Sequence, residues 1–155
     1  MYARGRSSPS VAGMRTPVEA RRHQGGSEDS PLLNRLRSLC LSLPETTESS
    51  SWGHPNFRAG KRIFVTYEWI KKRPSIAFRL HPSEVARYAA TPGFFLTPYG
   101  RGQWVSLEAD RRANWRLART LILKSYRLVA LKRMTQALDG GVSRRRGRLA
   151  PQPHG

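Results

Sequence analysis

Acidic side chains are the scarce component of this sequence. Ten Asp and Glu stand against 28 Lys and Arg in 155 residues, a formal net charge of +18. So few carboxylates disfavour a hard-cation site and leave general acid and base chemistry little material. Cysteine is rarer still: Cys40 is alone, which excludes a disulfide within the chain and a cysteine-rich zinc site. Long apolar runs are missing too. No stretch of about 18 apolar residues that could span a bilayer occurs, and no apolar segment follows Arg21-Arg22 as a twin-arginine export signal requires. A cytoplasmic protein without a membrane partner is expected.

The four histidines show no HxH, HExxH or Cys/His spacing, and "TPYGRGQW" lacks the glycine spacing of a Walker or dinucleotide loop. His54 lies between Gly53 and Pro55 and reads as a loop histidine that packs or caps. Glu45 and Glu48 sit three apart on a polar stretch with no apolar pocket to raise either pKa. The expectation is a protein with no metal, no cofactor and no catalytic residue.

What is abundant is positive charge, and its placement matters. Residues 1–30 carry a net +2, residues 140–155 a net +4, and residues 31–139 a net +12. The first of these segments has almost no large apolar side chains, and the second, "GGVSRRRGRLAPQPHG", is Arg-rich in a Gly/Pro setting. Both read as disordered basic tails, because they bury too little surface to offset the entropy of ordering. The cationic surface thus belongs mainly to a domain over 31–139, and such a field attracts polyanions.

Within that domain the periodicity alternates between helix and strand. Ser30-Pro31 reads as an N-cap with Pro at the first helical position, and Leu32, Leu33, Leu36, Leu39, Cys40 and Leu43 then recur at helical spacing. Cys40 on this stripe reads as a buried thiol. "ETTESSS" is expected to be a polar connector. Arg62 to Trp69 and Ser75 to Leu80 read as a β-hairpin whose tip carries Lys71, Lys72 and Arg73. A short helix is expected near 82–90, and a second strand pair over Phe94 to Thr97 and Gln103 to Glu108, joined by a Gly-rich turn that presents Arg101. Asp110 reads as the cap of a helix through 111–138, continuous or bent near Lys124-Ser125. Its arginines 112, 116, 119, 127 and 133 form a cationic ridge if it is unbroken. This order predicts an α+β fold, an antiparallel sheet with helices packed on one face.

Cations interleave with aromatics along the predicted strands. Arg58, Lys61 and Arg62 stand beside Phe57 and Phe64, Lys71, Lys72 and Arg73 beside Trp69, and Arg101 beside Tyr99 and Trp104. Lys and Arg neutralise phosphates, and an exposed aromatic beside them can stack on an unpaired base or wedge a groove, while Phe57, Phe64, Trp69 and Trp104 at strand spacing are expected to be core. "SWGHPNFRAGKRIF" reads as a turn and strand entry whose aromatics lock the sheet to the first helix, with Arg58, Lys61 and Arg62 toward solvent.

"LCLSLPETTESSSWGHPNFRAGKRIFVTY", "FFLTPYGRGQWVSLEAD" and "LILKSYRLVALKRM" together resemble the MmcQ/YjbR family of DNA-binding proteins, from about Leu36 to Leu138. The resemblance implies a CyaY-like fold with two hairpins acting as a double wing on DNA, here Arg62 to Leu80 and Phe94 to Glu108. With the charge, it leads to the expectation of a non-enzymatic protein that binds duplex DNA with weak sequence preference. The expected contacts are Arg58, Lys61, Arg62, Lys71, Lys72, Arg73, Arg79, Arg101 and Arg127, the last on an Arg-rich helix. The alternative is a regulatory module docking on an acidic protein partner. An iron-binding role like that of frataxin is disfavoured because the first helix offers Arg35 and Arg37 and no acid. An enzyme using His54 with Glu45 or Glu48 is the remaining reading.

Overall fold

The computed structural model describes residues 30–148, with side chains through residue 141. The predicted tail over 1–30 lies outside the described residues apart from Ser30. Ten elements follow in order: α1 (Pro31–Leu41), β1 (Thr46–Ser51), β2 (His54–Ala59), β3 (Arg62–Ile70), β4 (Arg73–Arg79), α2 (Pro82–Ala89), β5 (Phe94–Leu96), β6 (Trp104–Glu108), α3 (Trp115–Val129) and α4 (Lys132–Arg148). The strands form one antiparallel sheet in the order β1-β2-β3-β4-β6-β5. This is the expected α+β arrangement.

Side-chain alternation sorts the sheet into two faces. Phe57, Val65, Phe78 and Val105 lie in one cross-strand row, and Tyr67, Ile76, Leu107 and Phe94 in the next. Both rows join the core with Leu33, Leu36 and Cys40 of α1, Val85 and Tyr88 of α2, and Leu121, Ile122 and Tyr126 of α3. The rows between them are small and polar: Thr66, Ala77 and Ser106, then Ser75 with Glu108. The sheet therefore has a helix-covered face and an open face, and burying the apolar rows supplies the driving force.

One irregularity lets β3 contribute twice to the core. Phe57 pairs with Val65 but Arg58 pairs with Ile63, so Phe64 is the extra residue of a β-bulge. Phe64 and Val65 are both fully buried, and the Phe64 ring meets Tyr126 edge to face, centroids 5.7 Å apart. Beyond the bulge the alternation is shifted by one, which places Arg58 and Ile63 on the open side.

Four expectations are corrected. "ETTESSS" is mostly strand β1, completing a hairpin with β2 through the pairs Thr46 with Ala59 to Ser51 with His54. The long helix breaks at Ala130, which is extended at φ −65° and ψ 148°, rather than near Lys124-Ser125. The break folds α4 back so that Met134 is fully buried, and this tertiary gain outweighs an uninterrupted run of helix formers. Asn114 caps α3, its side chain accepting from the Leu117 amide at 3.0 Å, while Asp110 accepts from the Arg112 amide in the preceding turn. Finally, α4 continues through Gly140-Gly141 to Arg148, past the point where the tail was expected to begin. Ser30 holds the N-cap position of α1, but its hydroxyl makes no capping bond.

Candidate nucleic-acid interface

Three tight turns decide where the cations go. Ser51 pairs with His54, Ala59 with Arg62, and Ile70 with Arg73, so each connection is two residues long: Trp52-Gly53, Gly60-Lys61 and Lys71-Lys72. Trp52 and Gly53 have φ of 55° and 80°, and Lys71 and Lys72 have 51° and 64°. Positive φ at both central positions is the hairpin turn that matches strand twist, and it favours Asn and Gly. The chain instead places a tryptophan and two lysines in left-handed backbone.

Because the strands alternate in direction, these turns fall at opposite ends of the sheet. Trp52-Gly53 and Lys71-Lys72 share one end, with Arg73. Gly60-Lys61 lies at the other, with Arg62, Arg58, Arg79 and the 97–103 loop that carries Arg101. A nine-residue strand separates the two ends by about 27 Å at roughly 3.3 Å per residue. The two expected wings therefore point in opposite directions. The hairpins that do stand side by side are β1–β2 and β3–β4, and the first of these was hidden in the supposed connector.

The predicted contact residues differ in what they touch. Lys61, Arg62, Lys71, Lys72 and Arg101 are exposed and, among the described residues, in no ion pair. Arg58 is half-buried and donates to the Ser49 hydroxyl at 2.9 Å and to the Lys61 carbonyl at 3.0 Å. Arg79 is half-buried on the open face and donates to Gln103 at 3.3 Å. Arg73 pairs with Glu108 at 2.8 Å, and Arg127, over on the helix layer, pairs with Asp139 of α4 at 2.7 Å. The expected ridge along the long helix does not form. Arg112 precedes α3, Arg133 of α4 donates to both oxygens of Glu45 in the α1–β1 connection, and of the five only Arg116 and Arg119 are at once on α3, exposed and in no ion pair among the described residues.

The carboxylates are mostly committed to these internal pairs. Glu48 accepts three bonds from Arg37 of α1, and Glu84 of α2 accepts from Lys124 of α3 at 2.7 Å. Glu48 pairs in register with Phe57 and so faces the helices, whereas His54, opposite Ser51, sits on the other face of the same hairpin. The combination of His54 with Glu48 is thus not assembled. His81, the other histidine before a proline, caps α2, its Nδ1 accepting from the Ser83 amide at 3.3 Å. Cys40 is fully buried, and burial followed by the nearby Glu48 charge pushes its thiol far above the usual range, as the inert reading expects.

The open face is partly roofed. The 97–103 loop folds back so that the Tyr99 hydroxyl donates to Glu68, and burial together with that carboxylate raises the Tyr99 pKa. Thr97 bonds to Ser106 beneath it at 2.7 Å. Two features escaped the sequence reading. Trp52, grouped with the sheet-locking aromatics, is 91 % exposed. The other is its neighbourhood with Lys71 and Lys72, which depends on β1 being a strand. A Trp-Gly pair after a serine-rich run was the available signal for that turn.

No helix among the described residues is long and apolar enough to cross a membrane, and no cluster of three metal-ligating side chains occurs among them. No curated protein matches the chain. Among solved structures, it is similar to a protein from Pseudomonas syringae, with 13 % identity and a TM-score of 0.54 over 62 % of this chain and 97 % of that one. It is likewise similar to Deinococcus radiodurans protein DR2400, which carries a DUF419 domain, with 20 % identity and a TM-score of 0.57 over 69 % of this chain and 87 % of that one. At such identities these likenesses concern the fold alone. The YjbR family profile matches residues 41–128, from the last residue of α1 to the last turn of α3, and the chain belongs to the YjbR family.

Proposed function

We propose that this protein binds DNA through the phosphate backbone and carries out no chemical step. The observation behind this reading is the charge left over after internal pairing. Of the nineteen basic side chains in residues 31–139, five are in ion pairs, and fourteen have no carboxylate partner among the described residues. Only Glu68 and Asp110 of the seven acids there lie outside those pairs, and both are engaged by other donors. An exposed field of one sign, uncompensated among the described residues, favours a polyanion and gains affinity by releasing its counterions.

In this reading Lys61, Arg62, Lys71, Lys72 and Arg101 carry the contacts, with Arg58 and Arg79 beside them. Arg73 and Arg127 serve their ion pairs instead. Fluorescence anisotropy with a labelled blunt duplex tests the idea. Affinity should fall steeply between about 50 and 200 mM salt, with each phosphate contact adding about 0.9 to the log–log slope. Lys71→Glu with Lys72→Glu should weaken binding and flatten the slope, while Arg127→Gln should leave both unchanged. No binding at micromolar protein, or binding indifferent to salt, refutes the reading. Retention of an acidic protein after nuclease treatment would favour a protein partner instead.

A further inference from the structure

The hairpin edge that carries Trp52, Lys71 and Lys72 has a chemistry that phosphate contact alone does not use. Trp52 is 91 % exposed, so it contributes nothing to the core. Its φ of 55° is a conformation that a bulky side chain adopts at a cost, and Asn or Gly would make a more stable turn there. Packing and turn stability therefore give no reason for an indole at this position. The turn is nonetheless held in place: β1 and β2 pair without interruption from Thr46 with Ala59 to Ser51 with His54. Its neighbour at the same end is the Lys71-Lys72 turn, two strand spacings across the sheet, or about 10 Å. Both lysines are exposed and, among the described residues, in no ion pair.

We propose that Trp52 is a base-stacking residue, so that this edge recognises DNA with unpaired bases, an indole against a base face and the two lysines against the flanking phosphates. The proposal rests on the DNA-binding reading above and refines its ligand class. An aromatic face stacks on any base that is not already stacked on both sides, and cations beside it follow the backbone. An intact duplex offers the lysines their phosphates but offers the indole no free base face. An anionic membrane surface is the competing partner for Trp beside Lys. The edge suits it poorly, because Trp52 stands alone between Ser49-Ser50-Ser51 and Gly53-His54, with no second apolar residue at either tip to enter the acyl region.

The test compares wild type with Trp52→Asn, which suits the left-handed turn and removes the ring, and with Trp52→Tyr, which keeps an aromatic face. Probes are a short labelled oligothymidylate, a blunt duplex, and vesicles of phosphatidylserine and phosphatidylcholine. Trp52→Asn should lose roughly five- to hundred-fold in affinity for the oligothymidylate, the range expected for one stacked base, and little for the duplex. Trp52→Tyr should recover most of the loss, and indole fluorescence should be quenched by the oligothymidylate in wild type but not in Trp52→Asn. If wild type binds the duplex with steep salt dependence and Trp52→Asn changes neither affinity, the stacking proposal falls and the phosphate reading stands. If wild type binds neither nucleic acid, both fall. If it binds the vesicles and Trp52→Asn abolishes only that, the edge is a membrane contact and the proposal is overturned.

Discussion

Phe64 and Tyr126 meet edge to face, with an interplanar angle of 80°, because the bulge in β3 turns Phe64 toward α3. Tyr126 extends through the core, and its hydroxyl donates to the Pro44 carbonyl at 2.8 Å, tying α3 to the α1–β1 connection. Truncation at either position should therefore be felt by the whole domain. Phe64→Ala is expected to cost about 3 to 5 kcal/mol as a cavity in a close-packed core. Tyr126→Phe keeps the ring and removes one hydrogen bond, costing about 1 kcal/mol. Urea denaturation checks both, and a Phe64→Ala loss no larger than that of Tyr126→Phe contradicts the bulge geometry.

Gly100 has φ of 81°, and a Cβ there would lie 2.2 Å from Trp104 Cδ1. Gly102 has φ of 76° and open space around it. The pair separates backbone strain from steric clash. Gly102→Ala should cost about 1 kcal/mol through strain alone, and Gly100→Ala should cost more, up to about 3 kcal/mol, while moving Trp104. Thermal unfolding gives the ranking, and a near-ultraviolet dichroism change confined to Gly100→Ala reports the displaced indole. Equal losses with identical spectra would mean that the loop does not close over Trp104.

Much of the fold was legible because apolar residues recur at the period of their element. The helix over Leu33, Leu36 and Cys40, and the hairpin of Arg62 to Leu80, follow from spacing alone. "TTESSS" lacks the β-branched and aromatic content that marks a strand, and β1 exists because β2 offers it a ladder of backbone bonds. Spacing is blind to that kind of tertiary support. The same blindness merged α3 with α4, since no Gly or Pro marks Ala130, and the break is imposed by Met134 seeking the core. Individual basic residues were legible as exposed or nearly so. Their grouping was not, because which end of the sheet a turn occupies depends on strand direction, and pairing with Glu108 or Asp139 depends on contacts 35 and 12 residues away in sequence.

Two ion pairs hold α4, and both predict acid sensitivity. The guanidinium of Arg133 donates to Glu45, and that of Arg127 to Asp139, holding each carboxyl below its ordinary pKa. A depressed folded pKa stabilises above the unfolded value, near 4, and the gain is lost as pH falls through the lower folded value. The docking of α4 should therefore weaken below about pH 4 and stay level above it. Amide exchange in the first turns of α4 at two pH values tests this against Glu45→Gln combined with Asp139→Asn. The double variant should show no extra loss on acidification, and a variant as acid-sensitive as wild type would place the effect elsewhere.

Lys71 and Lys72 occupy a turn that other residues would make more stable, which sets stability against binding. Both sit in left-handed backbone, at φ of 51° and 64°, and among the described residues neither side chain is in an ion pair that could compensate. Replacing them with Asn-Gly supplies the pair that this turn favours and should raise stability by about 1 to 2 kcal/mol. The same change removes two unpaired cations from the edge. Affinity for DNA should fall, and the log–log salt slope should shrink by up to about 1.8, two phosphate contacts' worth. Gain and loss are read on one protein, by calorimetric melting and by a salt-series titration. A stabilised variant that binds DNA as tightly as wild type would show that this turn makes no phosphate contact. A destabilised one would show that the lysines hold the turn in some other way.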